Sequence, residues 1–202
     1  MFYETKDNNH NLPYNPFKAC VVPRPIGWIS SLDRNGVVNL APYSYFNAVA
    51  DVPPIVMFAS AFKEDGSEKD TLKNIKETGE FVVNIATYEL REKVNLTSTL
   101  LDHGVSEADR FDISLISSKI IKTPRVKDSP INLECQYLKT VELLVGKTRA
   151  SAQVVFGHVV GVHIEDSVLV NGRVDIKKLS PIARLGYDEY AAIREIFKMK
   201  RP

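Results

Sequence analysis

Strand-length runs separated by tight-turn signals constrain this chain more than anything else in it. IGWISSL (26–32) and VVNLA (37–41) flank DRNG, where Asn35-Gly36 supplies the positive φ of a tight hairpin. VLVNGRVDI (168–176) repeats the device at Asn171-Gly172. ACVV (19–22), IVMFAS (55–60), FVVNIAT (81–87), YLKTVELLV (137–145) and SAQVVFGHVVGVHIE (151–165) are further strand candidates. IVMFAS is apolar throughout and reads as a strand buried on both faces. Gly157 and Gly161 mark a bulge or bend in the longest run.

Helix signals are fewer. Leu72 and Ile75 in SEKDTLKNIKET (67–78) have helical spacing, with Gly79 placed to end the helix. Tyr88–Leu96 and EYAAIREIFKMK (189–200) complete the set, the latter predicting a C-terminal helix. Strands and helices do not alternate, which argues against a doubly wound parallel sheet and for a small antiparallel barrel with helical insertions. No linker divides residues 1–202, so one domain is expected.

Several function classes drop out early. Lysine plus arginine total 26 against 25 acidic residues, without the basic excess of a nucleic-acid binder. Lys198, Lys200 and Arg201 read as a solvated end. No apolar run approaches the ~18 residues of a membrane span, and MFYETKDNNH lacks the regions of a secretory signal. Cys20 and Cys135 form no disulfide framework, which suits a reducing, cytoplasmic setting. Walker A, dinucleotide-fold and GxSxG motifs are absent. His158 and His163 are five residues apart on one strand, hence on opposite faces unless a bulge intervenes. Cys135 reads as a packed thiol. An enzyme with this inventory would borrow its reactive group from a cofactor.

Three stretches remain. RPIGWISS (24–31) holds the only tryptophan, Trp28, followed by Ser30 and Ser31, and Gly27 allows close backbone approach. A plain core strand would look the same. NLAPYSYFN (39–47) is rich in both rings and hydrogen-bonding groups. Paired with RPIGWISS across the turn, it offers the slots and donors that a flat heteroaromatic ligand needs, although a rim loop fits as well. SEKDT (67–71) fits a capping box from Ser67 to Asp70, or an anion site formed by the helix start with Lys69 and Thr71. A ring slot beside a phosphate site describes a mononucleotide cofactor.

RPIGWISS, NG, NLAPYSYFN, the Pro53-Pro54 pair, KDT-x-x-N-I (69–75) and TGEFVVN (78–84), with GHVVGVHIE (157–165) and PIARLGYDEY (181–190), resemble in order the flavin reductase-like family of FMN-binding split barrels, its flavoredoxin-type branch in particular. The resemblance implies a mainly β, six-stranded antiparallel Greek-key split barrel, working as a homodimer with FMN near the interface. It implies that Trp28, Ser30 and Ser31 with Asn39, Leu40, Ala41, Pro42, Tyr43 and Ser44 hold the isoalloxazine and ribityl parts, the second segment mostly through backbone N–H groups. Ser60, Lys69 and Thr71 would hold the phosphate, Asp70 would orient the loop, and Phe46 and Asn47 would shape the pocket. Arg184, Gly186 and Tyr190 would lie by the flavin or the interface. NADH or NADPH would be a transient hydride donor, and a small molecule or partner protein the acceptor. A flavin electron carrier or a non-catalytic flavin binder are the alternatives. His158 is a candidate for the nicotinamide side. Residues 97–127 exceed what a barrel connection needs and are expected to form a lid over the flavin.

Overall fold

The computed structural model describes residues 1–202. In chain order, α1 (Phe17–Cys20) leads to β1 (Arg24–Pro25), β2 (Gly27–Leu32), β3 (Val38–Tyr43), β4 (Phe46–Asp51) and β5 (Pro54–Ala61). α2 (Asp70–Thr78) then connects to β6 (Glu80–Ile85). An insertion follows, with α3 (Arg91–Leu96), α4 (Glu107–Arg110), β7 (Leu115–Ile116) and β8 (Arg125–Val126). The long β9 (Ile131–Val145) and β10 (Thr148–Ile164) come next, followed by β11 (Leu169–Val170), β12 (Arg173–Val174), α5 (Ile176–Leu179), β13 (Ile182–Arg184) and β14 (Tyr190–Ala192).

The main sheet is antiparallel, in the order β3-β2-β6-β9-β10-β5-β4. Its two edge strands, β3 and β4, are consecutive in the chain and meet at a corner made by Ser44 and Tyr45. There the Ala59 N–H reaches the Tyr45 carbonyl at 2.8 Å. NLAPYSYFN therefore runs up one edge of the split, turns, and starts down the other. Counting β3 and β4 as one bent strand gives the expected six strands; counting them apart gives seven. The β5–β6 connection carries α2 past β9 and β10, the crossover of a Greek-key order.

Local chemistry explains the hairpins. Asp33 Oδ1 accepts the N–H groups of Asn35 and Val37 at 2.8 and 2.7 Å, and Gly36 takes φ +87°. Asn171 and Gly172, at φ +50° and +71°, close the β11–β12 hairpin. Register shifts in β10 fall at Phe156/Gly157 and Val159/Gly161, where the two glycines sit. A Cβ on Gly157 would lie 2.3 Å from Phe81 Cζ, so the strand bends where only glycine fits.

Two cores lie on opposite sides of β2. Ile29, Tyr43, Phe58, Phe81 and Val155 pack inside the barrel with Leu72 and Ile75 of α2. Trp28, Leu40, Ala108, Ile113 and Val126 pack on the outside, under the 97–127 insertion. Each fully buried large side chain contributes about 2–3 kcal/mol.

The structure corrects four expectations. ACVV is not a strand: residues up to Cys20 close α1, and no element follows until Arg24. β5 is buried on one face only, Val56, Phe58 and Ser60 pointing inward. The C-terminal helix does not form. Tyr190–Ala192 instead pairs with β13 as an edge strand, and no regular element follows Ala192. Ladder bonds to Ile182–Arg184 outcompete the weak periodicity of the segment, since isolated helices of this length are marginal. Finally, most of 97–127 packs as a layer over the outer core rather than hanging as a lid, while His103 near its start reaches Asp70 at the head of α2. Glu134 accepts the backbone N–H groups of Lys119, Ile120 and Ile121 at 2.7, 2.8 and 3.1 Å. Glu80 accepts those of Lys122 and Thr123 at 2.8 Å each. Both acids sit on the sheet, so the insertion is fastened to it by buried or half-buried carboxylates.

Candidate functional site

The β3 edge is the natural starting point. Asn39, Ala41 and Tyr43 stand opposite Ser31, Ile29 and Gly27 of β2. The Leu40 N–H points out of the sheet and donates to Glu107 Oε2 at 2.8 Å. By alternation Pro42 also faces outward, where a residue without an N–H costs the ladder nothing. This edge therefore presents carbonyls, and its N–H groups are largely committed. Burial raises the Glu107 carboxyl above the usual range, against the lowering effect of the Leu40 N–H.

Tyr43 reaches inward toward the start of α2. Burial pushes its hydroxyl up to about 12, with the Thr71 and Ser60 hydroxyls as its nearest polar neighbours. Tyr43 Oη and Ser60 Oγ are both buried and neither has a hydrogen-bond partner. Thr71 is buried too, and its Oγ1 accepts the Asn39 amide at 2.7 Å. Three hydroxyls thus converge beside the first turn of α2, whose leading N–H groups lack intrahelical acceptors. Lys69 is the N-cap, with extended backbone and no side-chain cap, and makes no ion pair of its own. The capping box does not form: the Ser67 hydroxyl donates to Asp65 Oδ1 instead, at 2.6 Å. Asp70 pairs with the Lys63 ammonium at 3.2 Å, which offsets the carboxylate of the first turn, and His103 Nδ1 lies 2.9 Å from it.

Other expected residues are placed differently. Trp28, Ser30 and Ser31 are fully buried. Trp28 Nε1 donates to Thr97 Oγ1 at 2.8 Å, and Ser30 Oγ donates to the Pro124 carbonyl at 2.7 Å. Ser31 Oγ accepts the Asn74 amide at 3.4 Å. These side chains hold the layers together, and Leu40 joins Trp28 in the outer core. Phe46 belongs to the barrel core, and a Cβ on Gly27 would meet its ring at 2.8 Å, so Phe46 is what Gly27 makes room for. Asn47 is exposed and its Oδ1 accepts the Ala48 N–H at 3.0 Å. Ala41 packs against the barrel core.

Pro42 and Ser44 open onto a groove of about 1760 Å3, whose walls include Arg24, Arg184 and Tyr190. Arg184 stacks its guanidinium over the Tyr190 ring at 4.4 Å and donates to the Tyr187 carbonyl. Gly186 is buried against α1: a Cβ there would lie 2.4 Å from that of Ala19. The site therefore has two ends, a cluster of buried hydroxyls at the start of α2 and an aromatic groove at the corner, with β3 running between them.

His158 lies on β10 opposite Ile55 and Gln136, away from the groove walls. The bulge at Val159/Gly161 adds a residue, so His158 and His163 share a face after all, opposite Gln136 and Asn132. Four strand positions, about 13 Å, still separate them. No cluster of three His, Cys, Asp or Glu residues exists that could hold a metal. Cys135 is a packed core thiol, pushed upward by burial and by Glu134. Sequence reasoning missed Arg24, Glu107 and the N-terminal wall of the groove. Arg24 reaches Leu185 and Glu107 reaches Leu40 across more than 60 residues of chain, contacts that no local pattern marks.

Residues 19–180 match the family model described as a flavin reductase like domain. Nitrilotriacetate monooxygenase component B from Bacillus cereus is 31% identical, superposes with a TM-score of 0.91 and is matched over 98% of each chain. Pseudomonas fluorescens 2-nitrobenzoate 2-nitroreductase is 28% identical, with a TM-score of 0.84 over 100% of this chain and 96% of that one. Flavoredoxin of Desulfovibrio vulgaris (Miyazaki F), at 17% identity, shares the fold, with a TM-score of 0.75 over 89% of this chain and 91% of that one. With the split antiparallel barrel and the family model covering most of its length, this chain belongs to the flavin reductase-like family.

Proposed function

We propose that this protein is an FMN-binding oxidoreductase that takes hydride from NADH or NADPH and hands the electrons to a small-molecule or protein acceptor. The observation that carries the reading is the pair of buried, unpartnered hydroxyls, Tyr43 Oη and Ser60 Oγ, beside Thr71 and the start of α2. Buried hydroxyls without partners are expensive unless a ligand or water completes them. A phosphate monoester fits the donor set: three hydroxyls, free helix N–H groups and the Lys69 ammonium.

Bound FMN would supply the two-electron redox chemistry. The chain's contribution is binding and orientation. Asn39 donates to Thr71 Oγ1, which leaves the threonine proton free to point at an anion. Tyr43, held at about 12, stays a neutral donor at every physiological pH. Asp70 is paired with the Lys63 ammonium, so it repels the phosphate less than a bare carboxylate would. The flavin ring would then follow β3 toward Pro42 and Ser44, with Arg184 and Tyr190 beyond.

A homodimer belongs to the same reading. Asn47–Asp51 of edge strand β4 are exposed throughout, and Leu138, Leu143, Leu144 and Val145 are exposed on the β9–β10 hairpin. An open edge and an apolar hairpin both call for cover. The two free thiols support a cytoplasmic setting.

The test begins with the absorption spectrum after incubation with FMN. Colourless protein would end the proposal. Anaerobic bleaching by NADH or NADPH at a catalytic rate supports the reductase; bleaching only by a partner protein would make it a carrier. Lys69→Ala with Thr71→Ala should weaken FMN at least ~tenfold, two charge-assisted contacts being lost, while riboflavin binding holds. Equal losses for both ligands would sink the phosphate assignment.

A further inference from the structure

The start of the 97–127 insertion reaches the head of α2 with a titratable side chain. His103 Nδ1 lies 2.9 Å from Asp70 Oδ1, and Glu107 Oε2 accepts the Leu40 N–H at 2.8 Å. These two contacts hold residues 103–107 against the first turn of α2 and the β3 edge. Gly104, at φ +84°, turns the chain between them, and the Val105 N–H returns to the Asp102 carbonyl at 3.1 Å. The notch left between this loop and the helix is about 20 Å3, room for roughly one water.

Asp70 is the first helical residue of α2 and precedes Thr71 directly. A first-turn carboxylate and a phosphate compete for the same positive helix end. Whatever holds the Asp70 charge therefore bears on what that end can bind. The ionisable groups around His103 are Asp70 on α2, Lys63 before it, Asp33 in the β2–β3 turn, Glu107 on α4 and Asp102 beside it. Of these four carboxylates only Asp70 meets an ammonium, Lys63 at 3.2 Å. Asp33 is engaged by the backbone N–H groups of Asn35 and Val37. Glu107 is held above the usual range by burial first, and the Asp70 charge adds to the effect, so the two acids feel one another. Imidazole is the side chain that ordinarily gains its charge between about pH 5 and 8. Protonated, His103 gives Asp70 a second cation.

We propose that His103 is a positioning residue for the phosphate end: as an imidazolium it holds the Asp70 carboxylate, and the start of α2 then receives an anion more readily than when the imidazole is neutral. The inference rests on the phosphate assignment above. His103 acts through Asp70 rather than on the ligand, and it makes the preference for FMN over riboflavin depend on pH. Loss of its proton leaves Asp70 with Lys63 alone, and the phosphate then meets more negative charge. The preference therefore falls as pH rises.

The experiment measures FMN and riboflavin affinities of the full chain by flavin fluorescence at about pH 6.5 and 8.5, above the second phosphate ionisation near about 6. What remains of that ionisation strengthens FMN binding as pH rises, opposite to the effect sought. The wild-type preference for FMN should fall about two- to fivefold over this range, the worth of a half-exposed ion pair. His103→Gln keeps a hydrogen-bonding group without the charge; it should match wild type at the higher pH and show no fall. His103→Lys keeps a cation throughout and should hold the higher preference at both. Three results would overturn the proposal: a wild-type preference that does not fall with pH, a fall that survives in His103→Gln, or a His103→Gln variant that weakens both flavins alike at each pH, which would make the residue structural only. Failure of the phosphate assignment shows separately, as a wild-type chain that binds FMN no tighter than riboflavin at either pH.

Discussion

Glu134→Gln tests how the outer layer is attached to the barrel. Glu134 is fully buried on β9, and its two oxygens accept three consecutive backbone N–H groups, from Lys119, Ile120 and Ile121, and face His163 Nε2. Burial alone would raise its carboxyl; the N–H groups and His163 more than reverse this and hold it at about 2 against an ordinary 4.5. That depression corresponds to about 3 kcal/mol of folding stability at neutral pH. The sign is that of a carboxylate favoured in the folded state. Its contribution is complete above about 4.5 and is lost as pH falls toward 2. Glutamine keeps one acceptor but turns an NH2 group toward donors that already point at it. The loss should be about 3 kcal/mol, or some 6–12 °C in Tm for a chain of this size. Urea unfolding at pH 7 and at about pH 2.5 reads it, since most of the loss falls below the ordinary carboxylate range. Wild type should lose stability over that interval, and the variant should show a flatter dependence. A variant within about 1 kcal/mol of wild type, with the same acid slope, would refute the argument that this carboxylate fastens the insertion.

Two further variants test the reading of β2 and β10. Gly157→Ala places a methyl 2.3 Å from Phe81 Cζ, in a ring cluster that includes Phe58, and should destabilise by roughly 1–3 kcal/mol in chemical denaturation; Phe81→Leu in the same chain should recover part of this, and an additive loss would show that the clash is relieved elsewhere. Trp28→Phe removes the 2.8 Å bond to Thr97 and leaves a gap in the outer core, at about 2 kcal/mol, without a matching loss of FMN affinity; a selective loss of FMN would return Trp28 to the flavin.

The fold was legible because its determinants are local. Gly36, Asn171-Gly172, Gly157 and Gly161 each fix backbone geometry within a few residues of themselves as their residue types dictate, while Asn35 keeps a negative φ and leaves the turn's positive φ to Gly36. Where local signals compete with distant partners, the distant partner prevailed. Residues 189–200 carry helical spacing, yet β13 offers Tyr190–Ala192 a ladder. The 97–127 segment looks like a lid by length and polarity, yet Glu80 and Glu134 seal its backbone to the sheet from positions that no spacing rule connects to it. The strand parity that separated His158 from His163 failed at the bulge for which Gly161 was already the signal. The site divides in the same way. Thr71 and Lys69 follow from the helix start, whereas the convergence of Tyr43 and Ser60 needs β3 and β5 on opposite sides of the split.

The corner at Ser44 and Tyr45 accounts for the composition of NLAPYSYFN. A strand that ends a barrel has one edge without a neighbour, and exposed edges are hazards unless blocked. Here Glu107 occupies the Leu40 N–H and Pro42 has none to offer, so the edge is closed to strand pairing but still presents carbonyls. The side chains alternate between two tasks. Asn39 and Tyr43 turn inward to the start of α2, while Pro42 and Ser44 turn to the groove. Tyr45 stacks beneath Arg24 at 5.7 Å, and Phe46 closes the barrel over Gly27. The rings are needed because the segment passes from a hydrophobic core to the mouth of a groove. The hydroxyls and amide are needed because it touches both polar ends on the way. If β3 is the axis along which a flavin lies, variants at Asn39 and Ser44 should act on different parts of the ligand: Asn39→Ala should weaken FMN more than riboflavin, through Thr71, and Ser44→Ala should weaken both alike. Identical profiles from the two variants would place the ligand elsewhere.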